Sequence, residues 1–211
     1  MLVSLTRSTL EEIIPLIATG NQYAHYWGSI SNFLKQLLIS VVSLLLILLL
    51  GALIGQRVGG IKTILAIVAG LYWLWGPVYW ASVRNASYRR FPYSGFFRGK
   101  VIDVFITDEL VREQQGVNKR GELVVVENRE RMINLEIGDS TGFRVIVQAP
   151  LRRIHKVINP GAIAELIVLS KQPNLSKIAK FTDVHLPQYN LWVGEYPYLR
   201  RDIFLQISQE I

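Results

Sequence analysis

The sequence reads LLISVVSLLLILLLGALI from Leu37 to Ile54 and TILAIVAGLYWLWGPVYWASV from Thr63 to Val83. At about 1.5 Å of rise per helical residue, runs of about 18 and about 21 residues each approach the ~30 Å hydrocarbon thickness of a bilayer. Neither run contains a charged residue, and the connection between them contains Arg57 and Lys62. The pattern predicts a transmembrane helical hairpin over 37–83.

Positive charge is concentrated around this hairpin. The 211-residue chain has 23 Lys and Arg against 16 Asp and Glu, which gives a formal net charge of +7. Seven of the bases and two of the acids lie within residues 1–91, so this part holds +5 of that charge. Because Lys and Arg beside membrane spans contact anionic headgroups, we predict the lipid bilayer, and not nucleic acid, as the partner of this charge.

A hairpin places both ends of the chain on one side of the membrane. Arg84, Arg89 and Arg90 follow the second run closely, whereas the connection between the runs has two basic residues. The positive-inside rule therefore predicts that both termini are cytoplasmic.

A secretory signal peptide does not fit, because the first apolar run follows 36 mixed residues and is long enough to remain as a span. The chain has no cysteine, so no disulfide framework is available.

The second half of the second run is rich in aromatic rings. Amphipathic rings prefer the headgroup level, so these rings and the arginines that follow predict an anchor at the membrane interface. The predicted anchor residues are Tyr72, Trp73, Trp75, Tyr79, Trp80, Arg84, Arg89 and Arg90. A lateral surface that packs on a pigment, a quinone or another membrane protein is the open alternative. Pro77 predicts a kink, because it removes the backbone hydrogen bond to Trp73.

The sequence of residues 1–36 predicts an amphipathic segment that lies at the membrane interface. Ser8 and Glu11 have the spacing of a capping box, and apolar residues then recur at helical spacing. Pro15 lies too deep for the first turn of such a helix, so the helix is either kinked there or begins nearer Ala18.

After a basic juxtamembrane linker at 84–98, residues 99–211 read as a cytoplasmic, β-rich domain. The predicted strands are Gly99–Ile106, Glu122–Asn128, Met132–Ile137, Phe143–Gln148, Ala162–Ser170, Lys180–Leu186 and Asn190–Val193. Short helices at 108–115 and 176–179 are alternatives. Gly138, Asp139 and Gly142 predict the turn of a hairpin over 132–148. The fold class is therefore an α+β membrane protein with a mainly antiparallel β barrel or sandwich.

The most apolar strand, AIAELIVLS at 162–170, predicts a central position in the sheet. Its single acid, Glu165, must lie at an edge or be paired, and we interpret it as a surface residue.

Near the C-terminus, aromatic and basic side chains are of the types enriched at interface hot spots. They are a candidate partner surface: Trp192, Tyr196, Tyr198, Arg200 and Arg201. Packing at the end of the β domain is the alternative for its aromatic residues.

The sequence contains no recognisable catalytic, nucleotide-binding or metal-binding motif. The three histidines, at 25, 155 and 185, are far apart, and the sequence has no P-loop, no G-x-G-x-x-G and no G-x-S-x-G. We therefore predict no metal, no cofactor and no catalytic residue, and the sequence leans against an enzyme without excluding one.

Four stretches carry a family resemblance. They are LYWLWGPVYWASVRNASYRR (71–90), FPYSGFFRGKVIDVFITDE (91–109), VVVENRERMINLEIGD (124–139) and NLWVGEYPYLRRDIF (190–204). In these stretches, and over most of its length, the chain resembles a family of small membrane proteins found in cyanobacteria. The resemblance implies a plasma or thylakoid membrane. Some members carry an automatic phosphate transporter permease label, but permeases of that class have several more spans than this chain offers.

The sequence thus favours a membrane-anchored, non-enzymatic interaction or assembly protein. Its expected partner is a membrane protein, such as a photosynthetic complex, or a second copy of the chain. The alternatives are an accessory subunit of a transporter and a membrane-tethered enzyme of lipid or pigment metabolism.

Overall fold

The computed structural model describes residues 1–54, 59–117 and 123–211, with side chains described except at 54 and 111–128. The fold is α+β. The chain divides into two compact units. Unit 1 comprises Met1–Arg7, Phe91–Tyr196 and Ser208–Ile211, and unit 2 comprises Ser8–Arg90 and Pro197–Ile207.

The helices account for most of unit 2. They are α1 Arg7–Ile13, α2 Gly20–Trp27, α3 Ile30–Ile54, α4 Gly59–Gly70, α5 Tyr72–Arg89 and α6 Arg201–Glu210. α1 ends before Pro15, and it begins at Arg7, so Ser8 is not its cap. A capping box is instead present at α2, where Thr19 and Gln22 each accept a backbone N–H of the other. α6 has no counterpart in the sequence analysis.

α3 contains the first apolar run and extends seven residues beyond it toward the N-terminus. Among the described helices it is the one that is long and apolar enough by itself to cross a membrane. Only 6% of the residues in its most apolar window are buried within the protein. Its leucine, isoleucine and valine side chains therefore face outward around most of the helix.

The second apolar run is not the continuous helix that the sequence predicts. α4 and α5 meet at Leu71 with a bend of 73°. Ser40 of α3 lies at this break, where its hydroxyl donates to the Gln36 carbonyl (3.0 Å) and accepts from the Trp73 N–H (2.9 Å). The Trp73 N–H is one of the donors that a helix start leaves without an intrahelical partner, so Ser40 caps α5 from a neighbouring helix.

Pro77 lies within α5, and the break is six residues before it. A proline has no N–H, so the Trp73 carbonyl cannot form its usual bond to the residue four positions later. The indole Nε1 of Trp27 donates to this carbonyl at 3.3 Å, and the Trp27 and Trp73 rings are stacked with centroids 5.6 Å apart. A side chain of α2 thus replaces the backbone donor that the proline removes.

Replacing Trp27 by phenylalanine should destabilise unit 2 by about 1 kcal/mol, because an aromatic ring stays but the hydrogen bond to the Trp73 carbonyl is lost. In a Pro77→Ala background the same change should cost less, since that substitution restores a backbone N–H that can bond to the carbonyl. Denaturant unfolding of the four variants in detergent measures this coupling. Equal costs in both backgrounds would contradict the compensation.

Unit 1 is built on one antiparallel sheet. Its strands are β1 Leu2–Leu5, β2 Tyr93–Val117, β3 Leu123–Gly138, β4 Arg144–Pro150, β5 Ile163–Ser170, β6 Ile178–Phe181, β7 Val184–Leu186 and β8 Leu191–Val193. Over the described residues their order is β4-β3-β2-β5-β7-β8, with β1 also paired to β2 and β6 to β5. The predicted barrel is not supported, because the sheet is open. β1, like α6, lacks a counterpart in the sequence analysis.

β2 and β3 are much longer than predicted. Residues 123–128 and 132–137, predicted to lie in two strands, belong to one strand, β3, whereas Glu122 of the first predicted strand lies outside the described residues. β2 continues through 108–115, so the alternative of a short helix there is wrong. The two strands pair over residues 100–117 of β2, with Lys100 opposite Gly138 and Val117 opposite Leu123. Most of the range 84–98, predicted as a basic juxtamembrane linker, is regular structure, because α5 extends to Arg89 and β2 begins at Tyr93.

Two predictions about the sheet are confirmed. The hairpin over 132–148 is present, with Asn134 of β3 opposite Gln148 of β4. β5 has a central position, since it pairs with β2, β6 and β7. A hydrophobic core cluster of unit 1 packs on one face of the sheet. It includes Phe97, Leu135, Ile137, Ala164, Leu166, Val168, Leu186 and Val193.

Candidate functional site

A row of four side chains crosses the sheet of unit 1 on the face opposite the core cluster. Arg98 of β2 is opposite Glu165 of β5, which is opposite His185 of β7, which is opposite Trp192 of β8. Their chain neighbours on each strand point into the core, so strand alternation directs these four to the other face. The register of the sheet therefore assembles the row from residues far apart in the chain.

Glu165 is the centre of this row. Its carboxylate accepts from Arg98 Nε (2.8 Å) and Ser208 Oγ (2.8 Å), and His185 Nδ1 lies 3.2 Å from it. The interpretation of Glu165 as a surface residue is wrong, because its side chain is 2% exposed. A buried carboxylate is tolerated only when it is paired and hydrogen-bonded, and its partners meet that need.

These partners also set the protonation state of Glu165. Burial alone would raise the pKa of the carboxyl group. The hydrogen bonds from His185, Ser208 and Arg98, together with the positive charge of Arg98, outweigh burial and hold the pKa below its ordinary value. Glu165 is therefore ionised at neutral pH.

The stability of unit 1 should depend on pH through this group. A carboxyl group with a lower pKa in the folded state than in the unfolded state stabilises the fold at higher pH, and this contribution disappears as pH falls through the folded pKa. The ordinary value is 4.5, so the free-energy difference between wild type and Glu165→Gln should be constant near neutral pH and shrink below about pH 4.5. Urea unfolding at several pH values measures it. A pH-independent difference would contradict the assignment.

A cleft of about 550 Å³ lies at the β2 end of the row. Its lining includes Arg98, Lys100, Ile102, Asp139 and Ile163. Ile102 is an extra residue in β2, because Val101 pairs with Ile137 and Asp103 with Glu136. Such a bulge re-aims side chains and is frequent beside functional sites.

Gly99 and Gly138 line part of the cleft, where a side chain would not fit. A Cβ on Gly99 would come within 2.6 Å of the Gly138 carbonyl oxygen, and a Cβ on Gly138 would come equally close to the Phe143 carbonyl oxygen. Larger residues at either position would force the backbone to move. Gly99 therefore allows the close approach of β2 to β3, and Gly138 allows the close approach of the chain on either side of the β3–β4 turn.

The predicted anchor rings divide into two groups in unit 2. Trp73 packs against Trp27 and also contacts the Phe33 ring edge-to-face. The remaining rings form a contact series along α5, and the Trp80 indole donates to the Tyr72 hydroxyl at 3.0 Å. The series is Tyr72, Trp75, Tyr79 and Trp80, with centroids 5.2 to 6.1 Å apart. The last three of these rings are exposed.

The predicted anchor arginines have partners within unit 2. Arg89 forms a 2.9 Å ion pair with Glu11 and donates to the carbonyls of Glu11 and Ile14. The Arg84 guanidinium lies 6.0 Å from the Tyr198 ring centroid. Arg90 follows α5 as its C-cap, and its backbone N–H donates to the Ala86 carbonyl. At least Arg89 therefore ties α5 to the α1 region of the chain.

The residues of the candidate partner surface are not all in one unit. Trp192 and Tyr196 belong to unit 1, where the Trp192 ring packs on His185 (4.6 Å) and Tyr196 is buried. The other three belong to unit 2. There Tyr198 stacks on Tyr88 at 3.8 Å, Arg200 pairs with Asp202 at 2.8 Å, and Arg201 is exposed at the start of α6.

The partners of Glu165 were not predicted from the sequence. A lone acid in an otherwise apolar, central strand is the signal that could have found the row, since such an acid must be paired. No group of three His, Cys, Asp or Glu that could hold a metal ion is found among the described residues.

Comparison with known proteins gives one family. A family model described as "Family of unknown function (DUF8619)" matches residues 3–211, and so includes parts of both units. No curated protein and no solved structure matches the chain.

Proposed function

Because the chain belongs to DUF8619, a family of unknown function, we propose a function from its own residues: it is a membrane-anchored, non-enzymatic interaction or assembly protein. The helical unit holds it in the bilayer, and the β-rich unit binds a subunit of a membrane complex, photosynthetic or other.

The exposure of α3 is the observation that carries the proposal. Its 25 residues extend about 37 Å, which is sufficient to cross the hydrocarbon region with some tilt. Side chains at Leu38, Leu45, Leu49 and Leu53 are all more than half exposed. An apolar surface of this extent is unfavourable in water and indicates contact with lipid or with another apolar surface.

We propose that α4 and α5 return the chain to the side from which α3 starts. α4 has 12 residues, about 18 Å, so it crosses only part of the bilayer before the 73° bend. α5 then carries Trp75, Tyr79 and Trp80 at the headgroup level, where amphipathic rings are favoured. A complete second crossing and a re-entrant hairpin both place the two termini on one side, which we propose is cytoplasmic.

The outer part of β2 and β3 is the proposed binding element. Among the described strands, residues 103–117 of β2 pair only with β3, and residues 123–130 of β3 pair only with β2; we call these two segments the ribbon. Its two edges present backbone N–H and C=O groups that an extended segment of a partner can pair with. Phe105, Ile106 and Leu110 add exposed apolar side chains. A two-stranded ribbon of this kind is only marginally stable by itself.

Purification of a tagged full-length chain from its own membranes in mild detergent tests this proposal. We expect a membrane-protein partner in stoichiometric amount, and we expect Phe105→Glu/Leu110→Glu to lose it. Ile146→Glu introduces one such carboxylate at an exposed apolar position of β4, outside the ribbon, and should retain the partner. Free monomer from wild type would contradict the proposal, as would equal loss in both variants. A homo-oligomer without other partners would favour the transport or enzyme alternatives.

A membrane-tethered enzyme of lipid or pigment metabolism is the second candidate. One observation favours it, the cleft beside Arg98 and Lys100 in unit 1. Turnover of added lipid or pigment substrates by the purified full chain tests this alternative.

A further inference from the structure

We infer that the cleft beside Arg98 in unit 1 binds an anionic amphiphile, with its phosphate or carboxylate head between Arg98 and Lys100 and its apolar part against Ile102 and Ile163. This site is separate from the ribbon, and it stands whether or not the ribbon binds a partner.

The size and lining of the cleft fit such a ligand. Its volume of about 550 Å³ is within the range of about 300–1,000 Å³ that is usual for small-molecule sites. Ile102 and Ile163 supply apolar surface from two strands. The bulge at Ile102 removes this residue from the regular pairing of β2 with β3 and leaves its side chain 40% exposed.

The two cations are arranged for an anion. Arg98 and Lys100 are two residues apart on β2, so their side chains leave the same face with a spacing of about 7 Å along the strand. Arg98 is fixed before any ligand binds, because Glu165 and Ser208 accept its hydrogen bonds. Lys100 has no hydrogen bond or ion pair from its side chain within the described part of the chain, so its charge is available to a ligand.

Asp139, the acid among the described lining residues, does not cancel this charge. Asp139 Oδ1 accepts from the backbone N–H groups of Thr141 (2.9 Å) and Phe143 (3.3 Å) and from the Thr141 hydroxyl (2.6 Å). Its other oxygen, Oδ2, accepts from the Met1 nitrogen at 3.3 Å. Oδ1 is thus used within the turn that follows β3 and Oδ2 by the Met1 nitrogen, and Lys100 remains the uncompensated charge of the cleft.

Calorimetric titration of the full chain in phosphatidylcholine nanodiscs tests the inference with two probes, hexyl phosphate and inorganic phosphate. Hexyl phosphate should bind at least about tenfold more tightly, because burying two methylene groups already corresponds to about that factor. Lys100→Glu should weaken hexyl phosphate about tenfold or more, since it replaces an attraction by a repulsion. Lys171→Glu is the matched control, an exposed lysine of unit 1 outside the cleft, and should change binding by less than about twofold.

Ile102→Ala separates the two parts of the site, and should weaken hexyl phosphate while leaving inorganic phosphate unchanged. Hydrogen exchange of the β5 amides checks that each variant is folded. If Lys100→Glu does not fold, Lys100→Gln replaces it in the titration. Nanodiscs that contain phosphatidylglycerol identify the source of the ligand: competition with hexyl phosphate indicates a lipid headgroup, and unchanged affinity indicates a soluble amphiphile. Equal binding of both probes, equal effects of the two lysine variants, or no binding would overturn the inference.

Discussion

Glu165→Ala is expected to destabilise unit 1 by about 3 kcal/mol, one of the two largest effects in this protein. The substitution leaves Arg98, His185 and Ser208 without the carboxylate that accepts their hydrogen bonds. Removing one member of a buried ion pair is costly because the other charge stays desolvated. Arg98 is 30% exposed and can be partly hydrated, so the expected cost is at the lower end of the range for such pairs. Hydrogen exchange of the β5 amides in the solubilised full chain measures the loss.

The pair of Arg144 with Glu136 is a matched control in the same sheet. Both ion pairs have an N–O distance of 2.8 Å, but the side chains of Arg144 and Glu136 are 66% and 23% exposed, against 30% and 2% for Arg98 and Glu165. Glu136→Ala should therefore change stability by less than about 1 kcal/mol, as is usual for exposed pairs. Similar losses for the two substitutions would show that burial of Glu165 does not determine its contribution.

Replacing Leu45 and Leu49 of α3 by arginine should remove the chain from the membrane. The two positions are four residues apart on one helix face, and both side chains are exposed in the folded unit. An arginine at the centre of a span opposes insertion by about 2.5–3.5 kcal/mol, so two should oppose it by roughly 5–7 kcal/mol. The variant should appear in the alkali-soluble or degraded fraction, whereas wild type should stay in the alkali-resistant membrane fraction.

Ile106→Arg/Leu110→Arg is the control for this experiment. These residues are also four apart and exposed, but they lie in β2 of unit 1. The control should leave membrane retention unchanged, because the ribbon is proposed to lie outside the bilayer. If the α3 variant were retained as well as wild type, α3 would not be the membrane anchor.

The features that the sequence predicts correctly depend on local patterns. The apolar run of α3 needs only its own composition, and the hairpin over 132–148 follows from turn residues between two alternating segments. β5 is recognised as central because its apolar residues are nearly continuous, which requires burial on both faces. Each of these patterns lies within a short window of the chain.

The features that the sequence does not predict depend on distant partners. The break at Leu71 is capped by Ser40, which is 33 residues before the Trp73 N–H that it accepts. The burial of Glu165 depends on Arg98, 67 residues earlier, and this pairing follows only from the order and register of the strands.

The length of β2 is another feature that depends on a distant partner and that local sequence patterns do not predict. The charged and polar residues from Asp108 onward are compatible with a short helix, but pairing with β3 continues through them to Val117. Helix propensity is a weak preference that tertiary context overrides, and here the context is the pairing of β2 with β3. A local pattern therefore could not show that 93–117 is one strand.

The most direct test of membrane anchoring is the environment of Leu45 in the full chain. The protein has no cysteine, so Leu45→Cys provides a unique site for a nitroxide label, and Ile106→Cys provides a matched site in the ribbon. After reconstitution into lipid vesicles, spin relaxation by oxygen and by a water-soluble nickel complex reports the surroundings of each label. We predict that the label at Leu45 is accessible to oxygen and protected from nickel, and that the label at Ile106 is accessible to nickel. Equal nickel access at both sites would contradict the anchoring of this protein by α3.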